Sequence, residues 1–188
     1  ADLLAMAEEW EIENAPSMRK GEMMFSILKE HAEEGWEIGG DGSDAWGVLD
    51  VGRGRWPSEV TWNWGGGAGR CGNHVVGLQF GAKWTEGSGY TENGLIVDGR
   101  LTKLGRELDW TYDWDEPLNP WRVVDPGGQL DVTLQPRYDK HTKLPGRDQG
   151  SETHQVFGTW SGRIRTDDGL EIEVHDIQGF AEEARQEW

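Results

Sequence analysis

From Trp36 onward, glycine turns cut the chain into short apolar runs, and two of the cuts are Asp-Gly pairs. Asp98-Gly99 stands between GLIV and LTKL, and Asp168-Gly169 between GRIRT and LEIEV. Glycine supplies the positive φ of a primed two-residue turn, so each pair predicts a hairpin joining its flanking strands. Gly127-Gly128, entered through Pro126, separates WRVV from LDVTL and reads the same way. About eight to ten such strands at regular spacing predict an antiparallel barrel or sandwich. The 28 Gly and 12 Trp among 188 residues suit a β-rich chain with many tight turns and little helix.

Residues 1–35 differ from the rest and are read as an N-terminal extension or the remnant of another lobe, ahead of a barrel over residues 36–188. In ADLLAMAEEW, Leu3, Leu4 and Ala7 lie near one helical face. GEMMFSILKEHAEEGW fits a helix by composition and a strand, EMMFSILKE, by its short apolar run. The Pro-bearing span from Glu116 to Pro120 is predicted as a loop. So is the polar span from Tyr138 to Gly150, as a mobile one. GFAEEARQEW is predicted to close the chain as a short helix, with Phe180 and Ala184 against the sheet.

A net charge of −17 argues against nucleic acid or an anionic membrane as a partner, since both require clustered Lys and Arg. The one cysteine, Cys71, excludes a disulfide framework and a cysteine-rich zinc site. No apolar run is long enough to span a bilayer and the first residues lack a secretion signal, so a cytoplasmic location is expected. The chain opens at Ala1 rather than Met, as a processed or truncated product would. His31, His74, His141, His154 and His175 have no short ligand spacing, and no cofactor or metal is expected. Gly65-Gly66-Gly67 lacks the Lys and hydroxyl of a phosphate loop, and no nucleophile elbow is present.

The stretch GVLDVGRGRWPSEVTWNWGGG, Gly47 to Gly67, carries the most chemistry. It delivers Asp50 and Arg53 to a glycine-flanked turn and returns through Trp62 and Trp64. Alternate strand residues share a face, so the two Trp stand together while Thr61 and Asn63 point the other way. An aromatic wall beside a carboxylate suits an apolar or sugar-like ligand. The other reading has the Trp filling a barrel interior and Asp50 paired with Arg53.

GVLDVGRGRWP, then TWNW, YTENGLIVDGRLTKL, HQVFGTWSGRI, DDGLEIEVHDIQGFAE and a final Trp resemble the C-terminal half of the proteins grouped as domain of unknown function 2804. That resemblance covers roughly residues 44–188. Those proteins are similar, more distantly, to tandem lipocalin-like proteins that include carotenoid 1,2-hydratases, tocopherol cyclase, AttH-type proteins and fungal decalin-forming cyclases. The resemblance implies a lipocalin-like β-barrel that normally follows another barrel, and so a homodimer or a partner chain that supplies a second lobe. The family commonly has Trp after the motif Asp, where this chain has Val51.

In the hydratase relatives an acid at the place of Asp50 protonates an alkene, and aromatic rings stabilise the carbocation. The physical needs are a carboxyl kept protonated by an apolar surround and ring faces for positive charge. Trp46, Trp62 and Trp64 are candidates for the rings, while a pairing with Arg53 would keep Asp50 ionised. In YTENGL, Tyr90, Glu92 and Asn93 stand where a loop enters a strand; Glu92 reads as a second carboxylate, or with its neighbours as a partner of backbone groups at a barrel corner. HQVFGTW puts His154, Val156, Gly158 and Trp160 on one face and Gln155, Phe157 and Thr159 on the other. His154 is a candidate proton carrier or a hydrogen-bonded structural residue. In GLEIEVHDI, the alternation turns Asp176 inward with Leu170, Ile172 and Val174, where Arg163 or Arg165 would pair with it.

These readings converge on a barrel that encloses a hydrophobic small molecule, terpenoid or polyketide-like, with cofactor-free hydration, isomerisation or cyclisation by acid catalysis as its chemistry. Two alternatives stand beside it: a non-catalytic carrier of the same ligands, and a carbohydrate-binding β-sandwich.

Overall fold

The structure, a computed structural model, describes residues 46–48, 50, 54–146 and 150–187, together with Ile12 and Pro16. The chain divides into two units at Ala45/Trp46, and the sheet belongs to the second. The expectations for residues 1–35, and for Arg53 and Val51, lie outside the described residues.

Among the described residues, nine strands run in the order β1 (Glu59–Cys71), β2 (His74–Ala82), β3 (Gly94–Val97), β4 (Arg100–Lys103), β5 (Asp109–Thr111), β6 (Trp121–Val124), β7 (Leu130–Leu144), β8 (Ser151–Arg165) and β9 (Glu171–Glu187). They form one antiparallel sheet in the order β4-β3-β2-β1-β9-β8-β7-β6-β5. No α-helix occurs among the described residues.

The outermost strands, β4 and β5, are consecutive in sequence and joined only by residues 104–108. Nine strands laid flat would separate them by about 38 Å, at about 4.8 Å per strand. The joining residues reach at most about 22 Å. The sheet must therefore curl, and it forms a half-barrel, consistent with the antiparallel barrel expected from the sequence. Leu104 and Leu108 in the joining segment are buried, so the connection also plugs the curl.

The hairpin signals hold. Asp98 and Gly99 have φ of 51° and 80°, the left-handed pair that a type I′ turn requires between β3 and β4. Gly169 has φ of 87° and closes the β8–β9 turn, with the Thr166 N–H donating to the Leu170 carbonyl. Between β6 and β7, the Asp125 N–H bonds Leu130 O at 2.8 Å and the Gly128 N–H bonds Asp125 O at 2.8 Å.

Three expectations are corrected. The C-terminal segment is not a helix: Phe180 to Glu187 continue β9. This strand is paired along its length, by β1 on one side and β8 on the other. Those two ladders outweigh the small helix preference of Ala and Glu. The polar span from Tyr138 is not a mobile loop as far as Leu144, because β7 runs through it and pairs with β8. It is polar because β6 ends earlier, leaving this half of β7 as an edge. Asp176 is exposed rather than inward. A β-bulge between the Trp160–Ile177 and Gly162–Val174 pairs gives it φ of 50° and interrupts the alternation. It accepts from the Thr159 and Ser161 hydroxyls rather than from arginine.

The inner face is filled with side chains. Trp121, Trp160, Phe80, Leu95, Val132 and Ile164 have no exposure. Phe80 on β2 meets Trp160 on β8 edge to face at 5.5 Å, across the curl. The Trp160 indole N–H donates to the Gly66 carbonyl at 3.1 Å, and this approach needs bare backbone beneath it. A Cβ on Gly67 would lie 2.8 Å from the Trp160 ring and 2.7 Å from the Gln178 carbonyl.

Candidate functional site

Trp62 and Trp64 stand on one face of β1, as the alternation predicts, but it is the face turned away from the core. The inward positions of β1 are small, namely Asn63, Gly65, Gly67, Gly69 and Cys71, because Trp160, Trp110 and Ile177 close over them. Among the described residues the fully buried tryptophans are therefore Trp121 and Trp160, with Trp110 packed against the core beside them.

Strand register lays out the outward face. One row runs Gln79, Gly66, Phe180, Phe157 and Tyr138 across β2, β1, β9, β8 and β7. The next runs Gly81, Trp64, Glu182, Gln155 and Lys140. A groove of about 790 Å³ lies over this face, floored by Gly77, Ala68, Phe157 and Phe180 and walled by Trp46, Val48, Ile96, Leu101 and Glu92. Its surface is mainly apolar, as small-molecule sites are, and the volume falls in their range. Gly77 leaves the floor low, since a Cβ there would find its nearest neighbour at 3.5 Å on Ile96.

Beside the groove, Glu182 is buried at 6% exposure. The Trp62 indole N–H donates to one carboxyl oxygen at 2.7 Å and the Gln155 amide to the other at 2.8 Å. Burial pushes this carboxyl above its ordinary value, and the negative charge of Asp50 adds to the rise. The Trp62 and Gln155 hydrogen bonds and the charge of Lys140 oppose it without prevailing. Trp64 sits on Phe180 edge to face at 4.6 Å, and its indole N–H donates to Gln79 at 3.2 Å. Glu182 is thus a buried carboxyl beside aromatic rings whose affinity for its proton is raised, the environment expected for Asp50. Asp50 itself is exposed.

The remaining candidates divide. Trp46, Glu92, Asn93 and Phe157 line the groove, and Trp62, Trp64 and Gln155 surround Glu182. Tyr90 is 80% exposed and outside both groups. Asn93 is fully buried, accepting from the Gly81 N–H at 2.7 Å and donating to the Arg106 carbonyl, and the Thr91 hydroxyl donates to Leu104 O. Both satisfy backbone at the corner where β3 begins. His154 lies on the inner face, apart from the groove, with Nδ1 2.8 Å from Asp139.

The inner face carries a polar cluster of its own. Glu183, buried at 3% exposure, accepts from Lys83 at 2.7 Å, from Arg185 at 2.6 Å and from the Tyr112 hydroxyl. Burial is the largest single influence and pushes its carboxyl up, but the Lys83, Tyr112 and Arg185 hydrogen bonds together hold it below the ordinary value. Tyr112 is raised, by burial first and then by Glu183. The Asn63 amide joins Tyr112 to the backbone of Glu182.

Glu182 and Glu183 escaped the sequence reading because a helix was expected there. Extended, FAEEA sends alternate residues to opposite faces, and that alternation was the available signal.

Curled antiparallel sheet, packed interior and an apolar groove beside a buried carboxyl define a β half-barrel protein with a groove of small-molecule size. The chain belongs to the family described as domain of unknown function 2804 (DUF2804), whose family model matches residues 20–188. A second family model, the Rho termination factor N-terminal domain, matches residues 1–35. Over 51 residues the chain is 95% identical to the transcription termination factor Rho of Cereibacter sphaeroides, and over 50 residues 56% identical to that of Pseudomonas fluorescens biotype C. Each match covers 27% of this chain, which spans 11% of the length of those relatives. No solved structure matches the chain.

Proposed function

We propose that this protein binds a hydrophobic small molecule, terpenoid or polyketide-like, along the outward groove, and that Glu182 serves as the proton donor of a cofactor-free hydration, isomerisation or cyclisation. One observation carries this reading: an apolar groove of about 790 Å³ lies beside a buried carboxyl whose affinity for its proton is raised by desolvation. Trp62, Trp64, Phe157 and Phe180 offer ring faces to developing positive charge. Asp50 and Glu92 supply the site's other two carboxylates, Asp50 within electrostatic reach of Glu182 and Glu92 on the groove wall. The lipocalin-like resemblance read from the sequence implies the same chemistry, with its acid expected at Asp50 before β1 rather than at Glu182 on β9.

The test uses intrinsic tryptophan fluorescence with a series of terpenoid alcohols and alkenes, followed by mass spectrometry of the recovered ligand. Binding that survives Glu182→Gln while turnover is lost supports acid catalysis. Binding with no chemical change in either protein leaves a carrier. Absence of quenching across the series ends the proposal. The sugar-platform alternative draws less support, because Trp64 meets Phe180 at 73° rather than lying in one plane with it.

A second copy or a partner lobe is the other occupant to weigh. Ile96, Leu101, Phe157 and Trp46 are exposed apolar residues on or beside this face. Light scattering decides: a stable dimer whose interface protects these residues favours pairing, and a monomer favours the small-molecule reading.

A further inference from the structure

Beyond the packed core, the inner face holds histidines that the groove does not use. β7 and β8 pair in the register His141↔His154 and Lys143↔Glu152. Glu152 and His154 are two residues apart on β8 and share a face, while His141 stands directly across from His154. The result is two imidazoles and a carboxylate whose ligand atoms all lie within 4.8 Å of one another. His141 and His154 are too widely spaced for a short ligand motif, and the pairing of these two strands brings them together.

Their surroundings are organised for one role. His154 Nδ1 lies 2.8 Å from Asp139 Oδ2, a contact that places the ring proton on Nδ1 and the lone pair on Nε2. A carboxylate on the far nitrogen of a histidine is the usual outer support of a metal ligand. The other Asp139 oxygen is buried without a hydrogen-bond partner, so this carboxylate is committed to His154 alone. The His141 and His154 rings lie nearly parallel, 9° apart with centroids at 4.1 Å, so the exposed His141 ring must turn out of the stack for both Nε2 lone pairs to meet at one ion. His141 Nε2 is 2.8 Å from Glu152 Oε1, and an ion entering between them must displace the proton that this contact holds on Nε2. Trp114 packs edge-on against the His154 ring at 4.6 Å, and the Arg185 guanidinium lies over Trp114 at 3.5 Å. Lys143 reaches Glu152 at 3.4 Å but is largely exposed and free to swing out.

We propose that His141, Glu152 and His154 bind a divalent transition-metal ion through His141 Nε2, His154 Nε2 and a Glu152 carboxylate oxygen, with Asp139 as the positioning residue behind His154. Two imidazoles with one carboxylate suit zinc or ferrous iron rather than magnesium or calcium, which prefer all-oxygen shells. Bonds of 2.0–2.1 Å in tetrahedral geometry need ligand atoms about 3.3 Å apart. The side chains must close by roughly 1.5 Å at most, a motion open to His141 and Glu152, whose side chains are 45% and 27% exposed. Three protein ligands leave a coordination position for water or another ligand.

The test is calorimetric titration of the full, EDTA-treated chain with zinc chloride, with magnesium chloride as the comparison. One equivalent of zinc should bind at micromolar protein concentration, magnesium should not compete, and the unfolding temperature should rise with zinc. His141→Asn and His154→Ala should abolish binding, and Asp139→Asn should weaken it roughly 10–100-fold. His175→Ala, at an exposed position elsewhere, should leave it unchanged. His141 is exposed enough for its variant to keep the fold, which circular dichroism checks. Absence of zinc binding overturns the proposal. So does equal binding by a folded His141→Asn variant, which would send the ion elsewhere, for example to the exposed His74–Asp98 pair.

Discussion

Glu182 and Glu183 are neighbours on β9 with carboxyls on opposite faces of the sheet, one bonded by Trp62 and Gln155, the other by Lys83, Tyr112 and Arg185. Their affinities for protons move in opposite directions from the same ordinary value of 4.5. Neutral donors and an apolar surround leave the Glu182 charge uncompensated, whereas two cations compensate Glu183. Titratable groups driven apart by their environments are how a fold separates an acid from a structural ion pair.

In the stability profile, Glu182 contributes a loss of stability as pH rises above 4.5. Its folded pKa is raised, so the folded state binds more protons, and the contribution is fully present below 4.5 and lost as pH rises through the folded value. Glu182→Gln should flatten that decline. Unfolding temperatures measured at pH 4 to 9 check it, and an unchanged slope would remove Glu182 as a protonated acid.

Glu183 sets the acid side. Its folded pKa is lowered, so its contribution is present above 4.5 and fades as pH falls through the folded value. Glu183→Gln should leave Lys83 poorly compensated and lower stability at neutral pH, with the gap to wild type closing below pH 4. Urea unfolding at both pH values measures this.

Gly67 and Gly77 lie on neighbouring strands and answer to different faces. Gly67→Ala should cost about 1–3 kcal/mol, because its Cβ would press on the Trp160 ring and the Gln178 carbonyl. Gly77→Leu should change stability by no more than about 0.5 kcal/mol yet fill the groove floor and abolish ligand quenching. Denaturation and fluorescence titration of the two variants separate core from groove.

Trp160 joins both halves of the curl. Its truncation in Trp160→Ala should cost about 3–5 kcal/mol through lost burial and a cavity, together with the bond to Gly66. The measurement is the midpoint of chemical unfolding, with Trp56→Ala, at an exposed position, as the near-neutral comparison.

The turns and the alternation were legible in the sequence because both are local. Asp98-Gly99 needs only its own φ angles to reverse the chain, and Trp62 shares a face with Trp64 whatever either packs against. Local pattern likewise put Gln155 and Phe157 opposite His154. Tertiary structure decided which face became the core. The small inward residues of β1 accept Trp160 from a strand almost a hundred residues away, and that approach turns Trp62 and Trp64 outward. It also decided that FAEEA would be extended, since β1 and β8 supply the backbone partners a helix would otherwise find within itself. Glu182 owes its raised proton affinity to burial, and His141 its nearness to His154 to strand register. The first is set by contacts between distant segments, Trp62 lying 120 residues from Glu182, and the second by the register of a hairpin that composition alone does not fix.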